Sequence, residues 1–272
     1  MLGFRPLSGI DRLAEVIDFC WQQTNQNGYC GYPVVMRDQA DQADGLTRVF
    51  YDAADQLLVL EDERLIAVAA LLVDDQARYL QTLGGIFTAD FAASLAKLEA
   101  YRDEFYPGYM LLIGYPVIDE IRPILQASGS LIEELHFYEY TGHRGELGQG
   151  VKKLSRDEFS DLSALRDRAN PEMYWSARRI LEHWADWSVY RSIEGEAYLL
   201  VRRTPKLSEI YGLYLTENDS TEQLRQLILG AAEDVMIQSQ RLIASSDPAE
   251  GLEAIFLSAG FSYQADYMAY SV

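Results

Sequence analysis

The stretch SEIYGLYLTENDSTEQLRQLILG, residues 208–230, passes from a strand pattern into a helix pattern without a break. Residues 208–215 carry aliphatic and aromatic side chains of the kind that fill strands. Leu224, Leu227, Ile228, Ala231 and Val235 then recur at i, i+3, i+4 spacing, a stripe that needs a sheet to cover it. At the junction, Asp219 to Glu222 and Ser220 to Gln223 both fit a capping box, in which side chains occupy the first amide groups of the helix. The start of this helix is therefore predicted to cap itself rather than to leave its amides for an anion.

The surrounding order of elements occurs twice. Residues 119–141 (DEIRPILQASGSLIEELHFYEYT) and 250–272 (EGLEAIFLSAGFSYQADYMAYSV) each read as a helix, a glycine and an aromatic-rich strand. Gly129 and Gly260 stand where a left-handed residue ends a helix. Upstream, residues 56–75 and 187–204 each form two apolar runs split by a polar turn, at Glu61-Asp62-Glu63 and Glu194-Gly195-Glu196, and both read as hairpins. A third strand follows each hairpin, at 77–88 and 207–215. Residues 109–116 are the fifth-strand candidate of the first half, and 235–243 its poorer counterpart. This order predicts an α/β fold, a mixed sheet with helices on both faces, present as a tandem duplication. The glycine-rich segment 142–150 separates the halves, giving domains at 1–143 and 151–272 with a linker over 144–150.

With 42 acidic and 23 basic residues the formal charge is −19, which repels phosphate backbones and anionic membrane surfaces and disfavours a nucleic-acid partner. Cys20 and Cys30, ten apart, and three scattered histidines make no metal-ligand set by spacing, so no metal is expected. No stretch has the length and apolarity of a membrane span and the first residues lack a secretory pattern, so a cytoplasmic location is the expectation.

Three features together resemble the GNAT superfamily of acyl-CoA-dependent N-acetyltransferases: the ending EGLEAIFLSAGFSYQADYMAY, the strand SEIYGLYLTEND with its acidic residue before the apolar run, and the element order seen twice. The resemblance implies that a central strand and its neighbour splay apart, that a pantetheine arm lies in the gap, and that a pyrophosphate sits on amides at the start of the next helix. It implies acetyl-CoA as co-substrate, with contacts at Leu213, Leu215, Ser220 and Thr221 in the second half and at Ile86 and Thr88 in the first. The glycines that admit the pyrophosphate in that family are replaced: Asp219, Glu222 and Leu224 stand in the matching positions. The first half has Ala89, Ala92 and Ala93 there, with Thr88 or Asp90 as N-cap.

Glu209 matches the family's catalytic glutamate and is the candidate general base, with strand alternation putting it on the side of Tyr211, Leu213 and Leu215. Its first-half counterpart is Gln81, which accepts no proton, and Leu125 and Phe256 match the position of the family's proton-donating tyrosine. Gly84 and Gly85 read as a strand bulge or as part of a splayed strand. Tyr174, Trp175, Trp184 and Trp187 fall in the family's acceptor lid and are candidate contacts to a small cationic amine by cation–π attraction; core packing is the alternative role. The competing function is a binding or scaffolding protein that keeps the fold without the phosphate cradle and forms a homodimer through its final strands.

Overall fold

Two apolar runs joined by a short polar turn can only satisfy their backbone groups by pairing, and the sheets grow outward from two such hairpins. The computed structural model describes residues 2–27, 36–52, 55–143, 150–169, 175–215 and 219–272. In chain order the first elements are β1 (Arg5–Pro6), α1 (Leu13–Asn27), α2 (Gln39–Tyr51), β2 (Asp55–Glu61), β3 (Leu65–Asp74) and β4 (Tyr79–Thr88). They are followed by α3 (Phe91–Phe105), β5 (Met110–Pro116), α4 (Arg122–Ser128) and β6 (Ser130–Tyr140). The second set is β7 (Val151–Lys153), α5 (Arg156–Ala169), α6 (Ala177–Glu182), β8 (Trp187–Ser192), β9 (Tyr198–Arg202) and β10 (Leu207–Tyr214). It ends with α7 (Thr221–Met236), β11 (Arg241–Ser246), α8 (Glu253–Ser258) and β12 (Phe261–Ser271).

The predicted hairpins are β2–β3 and β8–β9, and every residue of the helical stripe from Leu224 to Val235 is buried on α7. Two expectations are corrected. The strand expected over 235–243 begins only at Arg241, because Val235 and Met236 complete the buried face of α7. Gly260 is left-handed, at φ 92°, but Gly129 is extended. Its lack of a side chain has another cause: a Cβ there would lie 2.1 Å from the carbonyl oxygen of Ser271. The linker expected at 144–150 lies outside the described residues except for Gly150.

Two compact units are present, and only the second is a contiguous stretch of chain. Unit 1 comprises Met1–Glu134 with Asp266–Val272, and unit 2 comprises Leu135–Ala265. In unit 1 the strand order is β1-β2-β3-β4-β5-β12, and in unit 2 it is β6-β11-β10-β9-β8-β7. The final strand of the chain pairs antiparallel with β5, from Tyr267 opposite Pro116 to Ser271 opposite Leu112. The corresponding strand of the first repeat pairs with β11, from Glu139 opposite Ile243 to His136 opposite Ser246. The boundaries 1–143 and 151–272 expected from sequence therefore leave out an exchange of end strands.

Side-chain fit pins each exchange. Gly114 leaves room for Tyr267, whose hydroxyl would stand 1.5 Å from a Cβ there. On β6, Glu139 pairs with Arg241 of β11 at 3.2 Å, with side chains only 9% and 16% exposed. Removing either partner would leave a charge with little access to water, so the pair fixes register. In unit 1, α3 and α4 pack on one face of the sheet together with Met268 and Tyr270 of β12, and α1 and α2 cover the other. In unit 2, α7 and α8 cover one face while α5 and α6 cover the other. Cys20 is buried and unoxidised on α1; Cys30 lies outside the described residues. Among the described residues no helix is long and apolar enough to cross a membrane.

Candidate functional site

Both units contain a pair of parallel strands whose ladder stops short. In unit 1, β4 pairs with β5 from Tyr79–Met110 to Gln81–Leu112, after which β4 runs on to Thr88 and β5 to Pro116. In unit 2, β10 pairs with β11 from Leu207–Arg241 to Ile210–Ala244, and the strands continue to Tyr214 and Ser246. A bulge re-aims the central strand at each departure: β4 shifts register against β3 between Ala69 and Leu71, and β10 against β9 between Ile210 and Gly212. Gly84 and Gly85, both at φ 88°, supply the first bulge.

The gap in unit 1 is filled by the protein itself. The Tyr115 hydroxyl accepts from the Ile86 amide and donates to the Ile86 carbonyl at 2.9 Å. Its ring is buried edge-on against Phe91 at 5.1 Å, and a Cβ on Gly85 would come within 2.6 Å of it. The backbone groups of Ile86, expected to face a pantetheine arm, are thus held by a side chain. Thr88, expected to touch the same ligand, is buried; its hydroxyl accepts from the Asp90 amide and contacts the Ser94 hydroxyl at 2.9 Å. Replacing Tyr115 by Phe leaves the Ile86 amide and carbonyl buried without these bonds, at roughly 1–3 kcal/mol each. Urea denaturation of Y115F should show that loss in unit 1, and an unchanged midpoint would contradict the role given to the hydroxyl.

Unit 2 has a smaller residue at the place of Tyr115. Gln81 opposite Leu112 corresponds to Glu209 opposite Ile243, so three residues further along, Tyr115 corresponds to Ser246. Beside Ser246, on the side of β6 and α8, lies a cavity of about 310 Å³ lined by Ser246, His136, Tyr138, Leu252 and Leu257 with Asp247 and Glu253 at its edge; among the described residues, none of β10 or α7 lines it.

Glu209 stands on β10 one residue before its ladder with β11 ends, partly buried, with Arg202 and Ile243 as its strand partners. Burial raises its carboxyl above the usual carboxylate range, and Arg202 offsets part of the shift. Opposite Arg202 lies Trp187, so Trp187, Arg202 and Glu209 form a row across three strands. Trp175 packs edge-on to Trp187 at 5.4 Å, and Tyr211 does so from the other side at 5.5 Å. The expected grouping of Glu209 with Leu213 is corrected by the bulge, which reverses the alternation. Tyr211 and Tyr214 pack on the α5–α6 side, whereas Leu213 packs toward α7 and α8. Leu215 is 44% exposed at the strand end.

Among the lid aromatics, Trp175 and Trp187 gather at Arg202, the strand neighbour of Glu209, but Trp184 stacks on Phe159 as a core contact. The face of Trp175 already carries the Arg202 guanidinium at 4.6 Å, so the cation it holds is internal. Tyr174 lies outside the described residues. Leu125 and Phe256 are buried, and Phe256 stacks on Tyr138 at 5.2 Å. Tyr115, Tyr138, His136 and Ser246 are absent from the sequence reading. The signal for Tyr115 and Ser246 was a tyrosine and a serine at equal distance along two strands that were aligned poorly. His136 and Tyr138 reach the cavity beside Ser246 from β6, which joins β11 through the strand exchange.

The helix that follows each gap caps itself. On α7 the Ser220 hydroxyl accepts from the Gln223 amide at 3.2 Å, and the Gln223 side-chain carbonyl accepts from the Ser220 amide at 2.8 Å. Of the two capping boxes in the sequence, this is the one that forms. Asp219 turns to the hairpin, accepting from the Glu196 and Ala197 amides at 3.1 and 3.2 Å. Glu222 is held by Arg225 and Gln226, and the Arg225 bond keeps its carboxyl down at about 2. Thr221 is the first residue of the helix. On α3, Asp90 accepts from the Ala93 amide at 3.1 Å.

A mixed sheet whose parallel central strands diverge beyond a bulge, with a helix starting after the first of them, is the GNAT fold, and the chain contains it twice. Over 99% of this chain and 95% of the other, the structure is similar to a GCN5-related N-acetyltransferase from Sphaerobacter thermophilus, at a TM-score of 0.69 and 11% identity. It is also similar to a tandem GNAT protein from the clavulanic acid biosynthesis pathway, at a TM-score of 0.62 and 12% identity over 100% and 98% of the two chains. A third likeness is to a glucosamine N-acetyltransferase region of a fungal multi-domain β-N-acetylglucosaminidase, with a TM-score of 0.66 and 11% identity, covering all of this chain and 38% of that one. No protein-family model and no curated protein matches the sequence.

Proposed function

We propose that the protein is an N-acetyltransferase that takes its acetyl group from a pantetheine thioester such as acetyl-CoA and passes it to a small amine, with unit 2 as the working site. The observation that carries this reading is the position of Glu209, a carboxylate with a raised pKa on β10 one residue before its ladder with β11 ends, where unit 1 has Gln81. Fold alone does not supply an activity, since one architecture hosts many.

The arm of the donor fits unit 2: the strand edges beyond Ile210 and Ala244 have left their ladder, and Ser246 is small where Tyr115 is large. The diphosphate does not fit the start of α7, where the cap uses the Gln223 amide and Glu222 adds negative charge. The thioester supplies the activated acetyl group: the amine nitrogen forms the new C–N bond as the C–S bond breaks and the thiolate departs. Glu209 takes the proton lost by the amine and returns it to solvent, from which the thiolate is protonated. A raised pKa suits that task, because the carboxylate is then basic enough to accept a proton from an amine losing its lone pair. The net charge of −19 favours a cationic acceptor over an anionic one.

A second reading rests on the self-capped helices: a GNAT fold kept for binding, without turnover. Thermal unfolding with and without acetyl-CoA separates the two, because a ligand held at a hundred times its dissociation constant adds about 2.7 kcal/mol. A rise in unfolding temperature with release of free thiol in the presence of amines is the expected result; no shift at millimolar acetyl-CoA would favour the second reading.

A further inference from the structure

We propose that unit 1 holds a binding site for a small zwitterion, a free amino acid with an apolar side chain, in the cavity between α4 and β12. The site lies within unit 1 and stands whether or not unit 2 transfers acyl groups. The cavity has a volume of about 270 Å³ and is lined by Arg122 and Gln126 of α4, Leu131 and Glu134 at the start of β6, and Met268 and Tyr270 of β12. That size suits a small metabolite rather than a nucleotide. Arg122 is half-buried, and its Nε is shut off from solvent with no hydrogen-bond partner. Among the described residues no carboxylate or carbonyl pairs with its guanidinium. Leaving a half-buried charge unpaired costs stability, and a chain with 42 acidic residues against 23 basic ones has no shortage of counter-ions. The fold has therefore placed a guanidinium on a cavity wall without giving it an internal use. Guanidinium takes carboxylate through two parallel N–H bonds, and with Nε closed off the two Nη groups would make them. Glu134, exposed on the wall of the same cavity, also makes no ion pair among the described residues. Its carboxylate repels a plain anion and meets an ammonium group. A ligand carrying both charges satisfies both residues, and Leu131, Met268 and the Tyr270 ring offer an apolar surface to the rest of it.

The equivalent place in unit 2 has similar room and different chemistry. Tyr270 opposite Ile113 corresponds to Tyr138 opposite Ala244, and Met268 opposite Tyr115 to His136 opposite Ser246. The first residue of α4 is Arg122 and that of α8 is Glu253. Each repeat thus keeps a cavity between its last helix and the end strand it receives, with Arg122, Met268 and Tyr270 in unit 1 where unit 2 has Glu253, His136 and Tyr138. The room is common to both repeats and comes from the fold. The pairing of an open guanidinium with an open carboxylate belongs to unit 1, because unit 2 lines its cavity with Asp247 and Glu253 and with no arginine or lysine.

The test is calorimetric titration of the full chain with L-leucine, with isocaproate, which is leucine without its ammonium group, and with isopentylamine, which is leucine without its carboxylate. Leucine is expected to bind, and each of the other two to bind at least about tenfold more weakly, because each leaves one of the two charges unmet. Arg122→Gln should weaken leucine by about thirtyfold or more, the usual effect of truncating one partner of a charge-assisted pair. Glu134→Gln should weaken leucine and strengthen isocaproate, since it removes both the ammonium partner and the repulsion of the anion. Arg122→Lys keeps the charge without the fork and should bind leucine at an intermediate level; the unfolding temperatures of the free variants show that they remain folded. No binding of leucine overturns the proposal. Isocaproate or isopentylamine binding as tightly as leucine also overturns it, and shows a site for a plain anion or a plain amine. Leucine binding that survives both Arg122 substitutions lies elsewhere in the chain and overturns it as well.

Discussion

A chain that ends at Ala265 should lose the folded state of unit 1, although every residue of Met1–Glu134 remains in it. The missing piece, Asp266–Val272, supplies the partner strand of β5 over five paired positions. It also carries Tyr267, Met268 and Tyr270, all under 10% exposed, the last two within the core formed by α3 and α4. Burying three side chains of that size is worth roughly 5 to 9 kcal/mol. That is comparable to the whole stability of a typical domain, about 5–15 kcal/mol. Urea denaturation followed by circular dichroism should show the unit 1 transition gone, and adding a peptide of residues 261–272 should restore part of it. A truncated chain with an unchanged unit 1 transition would mean that β12 is dispensable there.

The second large effect concerns Glu209. Replacing it by Gln should lower kcat by roughly 10²- to 10⁴-fold, the usual worth of a positioned general base. The pH profile should change with it. On the proposed function, the active carboxylate form of the native chain accumulates as pH rises through a pKa above the usual carboxylate range, giving an acidic limb that the variant lacks. Stability should move the other way. A carboxyl whose folded pKa lies above its unfolded value stabilises the fold while protonated and loses that contribution as pH rises through the folded pKa. Gln removes this cost, so E209Q should match the native chain below the ordinary carboxylate range and exceed its unfolding temperature at neutral pH. Lower turnover with higher stability is a pairing that structural damage does not produce. Unchanged turnover would remove Glu209 from the mechanism.

Much of the fold was legible because local patterns and tertiary packing agree. The two hairpins, the stripe on α7, the helix-ending Gly260 and the repeated order of elements follow from polar turns and apolar periodicity, which the sheet then buries. The misplaced strand near 235–243 shows where agreement ends, because Val235 and Met236 suit a helix face and a strand equally well in isolation. The strand exchange was not legible for a related reason. β6 and β12 are of equal length and both aromatic-rich, so local pattern alone does not say which of β5 and β11 each will join. The choice is made by long-range fits such as Tyr267 over Gly114 and Glu139 with Arg241.

The site was legible in part. Glu209 and the Ser220–Gln223 cap are local features of one strand and one helix start, and both stand where the residues suggested. The bulge at Ile210–Gly212 was not visible as a change of alternation, which is why Leu213 was grouped with the wrong face. That unit 1 fills its gap with Tyr115 where unit 2 has Ser246 shows only once the two ladders are superposed.

The proposed function puts the thioester in the gap of unit 2, where Ser246 stands in the position of Tyr115, the side chain that fills the gap of unit 1. Calorimetric titration of acetyl-CoA into the native chain and into Ser246→Tyr tests it most directly. The account predicts one equivalent bound per native chain, and none by the variant, whose unfolding temperature shows that it remains folded. Two equivalents per native chain, or undiminished binding by the folded variant, would contradict it.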